Sequence, residues 1–92
     1  MDKDVTPIPI DDEGRAERLR SHARMADLDV RFAYHPPKPD QPGRWQLIRD
    51  MGKGFAKLLI TACPESRELS LALTALEEAV FWANASISRR EL

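Results

Sequence analysis

Apolar side chains in the second half of the chain recur at three- and four-residue steps. Leu69, Leu73, Leu76, Ala79, Val80, Ala83 and Ile87 form one stripe, which predicts a helix over residues 64–90. Leu71, Thr74, Phe81 and Ala85 lie off that stripe, and residues 79–88 carry no charge although they include Phe81 and Trp82. A helix that is apolar on more than one side must be covered on more than one side, which a small monomer can hardly do. A second stripe, Trp45, Ile48, Met51, Phe55, Leu58, Leu59 and Ala62, predicts a helix over residues 42–62. Asp40 or Gln41 opens it, with Pro42 in the first turn, where a missing N–H costs nothing. Cys63 and Pro64 end it, and Pro64 suits the first position of the next helix, so the two long helices should lie antiparallel across a very short turn. Gly52 and Gly54 each cost roughly 1 kcal/mol of helix stability relative to alanine. Glycine allows close backbone approach, so the turn around Lys53 is where something should pack tightly.

The first half is less regular. VTPIPI, near the start, reads as an extended arm because two prolines forbid a helix interior. Asp11 or Asp12 can cap a short helix, EGRAERLRSHARMA, with Ala16, Leu19, Ala23 and Ala26 spaced at three and four. DLDVR alternates polar and apolar residues and reads as a short extended link. FAYHPPKPDQPG holds four prolines and is not regular structure. Its Phe32 and Tyr34, with His35, are costly to leave in water, which suggests a loop docked onto the helices. The expected fold is all-α: an antiparallel helical hairpin with a short N-terminal helix, assembled as a homo-oligomer. Residues 1–30 form an N-terminal extension and residues 31–92 a domain for oligomerisation and ligand binding.

Ninety-two residues with 42% hydrophobic and 32% charged composition suit one small soluble domain with a modest core. No apolar run approaches the ~18 residues of a membrane span, and the acidic first residues do not resemble a signal peptide, so the expected location is the cytoplasm. Cys63 is the only cysteine, leaving no internal disulfide and no cysteine cluster for zinc. A net charge of −1 argues against long nucleic acid as the partner. Charge is uneven, however: residues 1–30 carry −3 and residues 31–92 carry +2, so a small anion could still be held locally.

The residues for ordinary catalysis are missing. His22 and His35 fall on different elements, Glu77 and Glu78 point about 100° apart on a helix, and no His/Cys/Asp spacing forms a metal site. GKG at residues 52–54 lacks the remaining glycine and hydroxyl of a phosphate loop. The chain reads as a non-enzyme with no cofactor and no metal. Binding chemistry is better represented. Tyr34 offers a face for stacking on a base, Arg49, Lys53 and Lys57 repeat at four-residue steps, and Arg89 and Arg90 close the last helix. Together they could hold a phosphorylated nucleotide. The plainer alternatives are a wetted cationic face, and core or interface roles for Phe81 and Trp82. Asn84 lies within the uncharged run, where an amide needs partners if buried.

RFAYHPPKPDQPGRW and, above all, CPESRELSLALTALEEAVFWANASI resemble the hairpin domain shared by the phage anti-CBASS and anti-Thoeris cyclic-nucleotide sponges. The resemblance covers about residues 31–89 and rests on YH-P, CP-SRE-SLA, LEEA and WANA-I. It implies a phage-encoded homo-oligomer, a hexamer being one candidate, that traps cyclic di- or trinucleotides or cyclic ADP-ribose isomers at subunit interfaces without cleaving them. By resemblance to the anti-CBASS branch, Tyr34 would stack on the base and Lys53 meet phosphate, with Arg49 one turn away as the substitute and His35 beside Tyr34. By resemblance to the anti-Thoeris branch, Trp82, Asn84 and Arg89 would line a pocket. The chain departs from its relatives at residues 51–55, MGKGF where they often read AAKEL, and at residues 88–90, SRR where they often read ARN. The competing expectation is a helical adaptor that binds another protein through Phe81 and Trp82 and has no nucleotide ligand.

Overall fold

The computed structural model describes residues 12–91, with side chains from residue 14 onward. The extended arm and the Asp11 or Asp12 cap expected from the sequence lie outside the described residues. Three helices follow in order, α1 (Asp12–Phe32), α2 (Gln41–Ala62) and α3 (Arg67–Arg90), and the described residues contain no strand. Among them no helix is long and apolar enough to cross a membrane. The chain divides between Ala33 and Tyr34 into two units.

The first unit contains α1, and it corrects the expectation of a short helix followed by an extended DLDVR link. α1 runs 21 residues, through that segment to Phe32. Nothing breaks it: no glycine or proline occurs between Gly14 and Pro36. Five alternating residues fit a helix as easily as a strand, and continuation of the helix lets charged side chains pair across one turn. Arg31 Nε donates to Asp27 Oδ2 at 2.9 Å across one turn, as Arg20 Nη2 does to Glu17 Oε1 at 2.7 Å. Such pairs add a few tenths of a kcal/mol each.

The second unit is the hairpin. α2 starts at Gln41 with Pro42 in its first turn. It ends where Cys63 turns extended, at φ −108° and ψ 145°, its N–H still bonded to Leu59 O at 2.9 Å. An extended Cys63 is what the following proline demands. α3 begins three residues later than the pattern suggested. Its cap is Ser66, whose Oγ accepts the Leu69 N–H at 3.1 Å, so Pro64 belongs to the connection and not to the first turn. A serine hydroxyl serves the exposed N–H groups of a helix start, which a proline ring cannot. The arms are antiparallel, with Gln41 meeting Ile87, Trp45 meeting Asn84 and Gly52 meeting Val80.

Polar groups lock the open end of the hairpin. Gln41, only 2% exposed, accepts the Lys38 N–H at 2.9 Å and donates to Ile87 O and to Glu91 Oε1, both at 3.0 Å. Arg44 grips the same Glu91 carboxylate with two donors, each at 2.7 Å. It also reaches Asp40 at 2.9 Å, so the Asp40 side chain is spent on Arg44 and does not cap α2. Lys38 Nζ donates to Glu91 O at 3.0 Å.

The apolar side of the fold is thin. Leu69, 5% exposed, is the only buried hydrophobic residue among those described. Leu47, Met51, Phe55, Leu58, Phe81 and Trp82 all stay exposed. Of the aromatic residues expected to dock the proline loop, Phe32 ends α1 and Tyr34 is 83% exposed, while His35 is half-buried. The loop is tied down through Lys38 instead, because a two-helix hairpin offers no second layer to cover a ring.

Candidate functional site

Two arms packed side by side leave grooves wherever the facing residues are small. Gly52 supplies this on α2. A Cβ there would lie 2.5 Å from Val80 Cγ2, so α3 sits against bare backbone, the close approach that glycine permits. Gly54 has open space around it, with nothing within 4 Å of a Cβ. Only one of the two glycines is therefore required by packing among the described residues.

Beside that contact lies an open groove of about 350 Å³. Its floor is apolar, from Gly52, Ala56, Leu73, Leu76 and Val80, and its polar groups are Arg49, Lys53 and Glu77. The spacing explains the arrangement: residues 49, 52, 53 and 56 share one face of α2, and residues 73, 76, 77 and 80 one face of α3. Arg49 Nη2 donates to Gln46 Oε1 at 2.9 Å. Lys53 makes no hydrogen bond or ion pair among the described residues. An ammonium and a guanidinium lining one apolar floor can take an anion that also has a flat or apolar body, with the Glu77 carboxylate as the one opposing charge of the groove. Lys57, the third residue of the cationic series, does not line this groove.

A second, shallower depression of about 470 Å³ shares Gly52, Leu76 and Val80 and is otherwise lined by Ile48, Met51, Phe55, Ala79 and Ala83. It has no charged lining group, as expected of a surface that another apolar surface covers.

The remaining candidate residues are dispersed. Tyr34 stands in solvent after Ala33, and His35 next to it is half-buried. Trp82 is exposed on α3 and meets Phe81 edge to face, with ring centroids 5.0 Å apart at 81°. Asn84 is half-buried and donates from Nδ2 to Trp45 O at 3.4 Å, while its Oδ1 and the Trp45 Nε1 are buried without a partner among the described residues. Buried polar atoms of this kind are ordinarily met by another polar group or by an ordered water. Arg89 is half-buried near the end of α3. The fold thus brings Arg49 and Lys53 to one groove, and none of Tyr34, His35, Trp82, Asn84 or Arg89 lines it.

Glu77 is not legible as a site residue in the sequence, because beside Glu78 it reads as one of two diverging surface acids. Only the register of α3 against α2 selects it. Gln41, Arg44 and Glu91 escape sequence reasoning on the same ground, as their roles arise from meeting across about fifty residues of sequence.

The model of the family described as Acb2/Tad1, hairpin domain, matches residues 25–88. No curated protein and no solved structure matches the chain.

Proposed function

As the chain belongs to the Acb2/Tad1 hairpin-domain family, the family of anti-CBASS and anti-Thoeris sponges, we propose that it is a phage anti-defence protein that sequesters a cyclic nucleotide immune messenger. Binding without cleavage would keep CBASS or Thoeris effectors unactivated. The observation that carries this reading is the groove in which Arg49 and Lys53 stand over an apolar floor. A cyclic nucleotide presents phosphate and flat base together, and those two chemistries are what such a groove accommodates.

The protein works as a homo-oligomer. One buried apolar residue among those described, against exposed Met51, Phe55, Phe81 and Trp82, is a surface that calls for further copies to cover it. Assembly also supplies the missing part of the ligand site. Tyr34, His35, Trp82, Asn84 and Arg89 do not line the groove of their own chain, so they contribute from neighbouring copies, with Tyr34 stacking on a base and the unmet polar atoms of Asn84 and Trp45 finding partners at the seams. No cofactor is involved, and the ligand is released chemically unchanged.

The test is calorimetric titration with a panel of cyclic dinucleotides, cyclic trinucleotides and cyclic ADP-ribose isomers, followed by heat release and mass analysis of the bound compound. Intact messenger supports sequestration, and altered messenger makes the protein an enzyme. No binding across the panel, with a stable complex to a host or phage protein through Phe81 and Trp82, makes it an adaptor.

A further inference from the structure

α1 carries an apolar pattern of its own. Ala16, Leu19, Ala23, Ala26 and Val30 alternate strictly at three and four along this helix. These are the a and d positions of a heptad, the seam along which one helix packs on another. Leu19, Ala23 and Ala26 are exposed. Met25, Leu28 and Phe32, also exposed, lie on the opposite side.

The flanking charges identify the partner. Positions e and g hold Arg15, Arg20 and His22 toward the start of α1 and Asp27 and Asp29 toward its end. An antiparallel pair of identical helices places e against e and g against g. One register sets Leu19 opposite the second copy's Val30 and Ala23 opposite its Ala26. That register also sets Arg20 beside the copy's Asp27 and His22 beside its Asp29, on opposite flanks. Sliding by one heptad brings Arg20 onto Arg20 between two Arg15–Asp29 pairs, and a parallel pair brings Arg15 onto Arg20, so each of these arrangements carries a repulsion that the first register avoids. We infer that α1 pairs antiparallel with α1 of a second copy of this chain, Leu19 facing Val30 and Arg20 facing Asp27. Asp27 keeps its own Arg31 at 2.9 Å, since a carboxylate accepts from two donors.

An alanine-rich seam lets two helices approach closely but removes little apolar surface from water, so the pairing relies on a high local concentration of α1. In that respect it rests on the proposed assembly of the hairpins. The experiment separates the two. Full-length Cys63→Ser chains carrying Leu19→Cys or Val30→Cys are expressed singly and together, sedimented, then oxidised with diamide. Expected is a disulfide dimer in the mixture and none with Leu19→Cys alone, whose two cysteines would stand eleven residues, about 16 Å, apart along the axis. Arg20→Asp should lower the yield of that dimer about tenfold, because both Arg20–Asp27 pairs of the e flank become repulsive, and Arg20→Asp with Asp27→Arg should restore it. A Leu19→Cys dimer overturns the antiparallel arrangement. An oligomer that gives no 19–30 link overturns the pairing alone, and a chain that sediments as a monomer overturns the hairpin assembly as well.

Discussion

Val80 on α3 packs against the backbone of Gly52 on α2, so closely that any Cβ at residue 52 would overlap its Cγ2. Two glycines in one helix turn thereby acquire opposite meanings. Gly52→Ala should destabilise the hairpin by about 1–2 kcal/mol, the overpacking outweighing the gain in helix propensity. Gly54→Ala should stabilise it by up to about 1 kcal/mol. Urea unfolding of the two variants checks both signs. A destabilised Gly54→Ala protein would mean that a second copy packs on that turn.

Gln41 ties the first turn of α2 to the last of α3 through a fully buried amide. Gln41→Leu keeps the bulk but leaves the Ile87 carbonyl and the Lys38 N–H without their partner, a loss of about 2 kcal/mol. The midpoint of chemical unfolding reports it. A variant within experimental error of the parent would show that Arg44 and Glu91 hold the end alone.

The Arg44 side chain, joined by Gln41, holds the Glu91 carboxyl well below its ordinary value of 4.5, down to about 2. A carboxyl depressed in the folded state binds protons more readily when unfolded. Its stabilising contribution is therefore complete above about pH 4.5 and is lost as pH falls toward 2. Thermal unfolding should show Glu91→Gln losing less stability than the parent between pH 5 and pH 2.5. Equal losses in both proteins would assign the acid sensitivity to other carboxylates.

Ligand uptake and assembly should respond to different residues. Tyr34→Ala and Lys53→Ala should each weaken binding of whichever cyclic nucleotide the panel selects by about tenfold or more, at unchanged oligomer mass. Trp82→Asp should reduce the mass, because it sets a charge within a surface proposed to be covered. Titration and light scattering on the same samples separate the effects. Unaltered binding by Tyr34→Ala would remove the stacking role.

The two arms of the hairpin are legible in the sequence because each is long and strongly periodic. Their boundaries are legible where a backbone rule applies, as with Pro64 forcing Cys63 out of the helix. The same reasoning fails at the start of α3, where two features compete: a proline suited to a first turn and a serine suited to a cap. It fails again at DLDVR, where five residues are too few to distinguish a period of two from one of 3.6. At the site, the cationic series on α2 is visible as a pattern, yet the pattern cannot separate Arg49 and Lys53, which line the groove, from Lys57, which does not.

What the sequence determined by itself is local: two amphipathic helices, a tight joint between them, more apolar surface than one hairpin can hide, and membership of a family legible in strings such as CPESRELSLAL and WANASI. Only the tertiary structure decided which residues meet. The Gly52–Val80 contact, the pairing of Glu91 with Arg44 and Gln41, and the entry of Glu77 into the groove all depend on the rotation and register of one helix against the other. That register follows from the sum of many side-chain shapes across the interface, and no short stretch of sequence contains it.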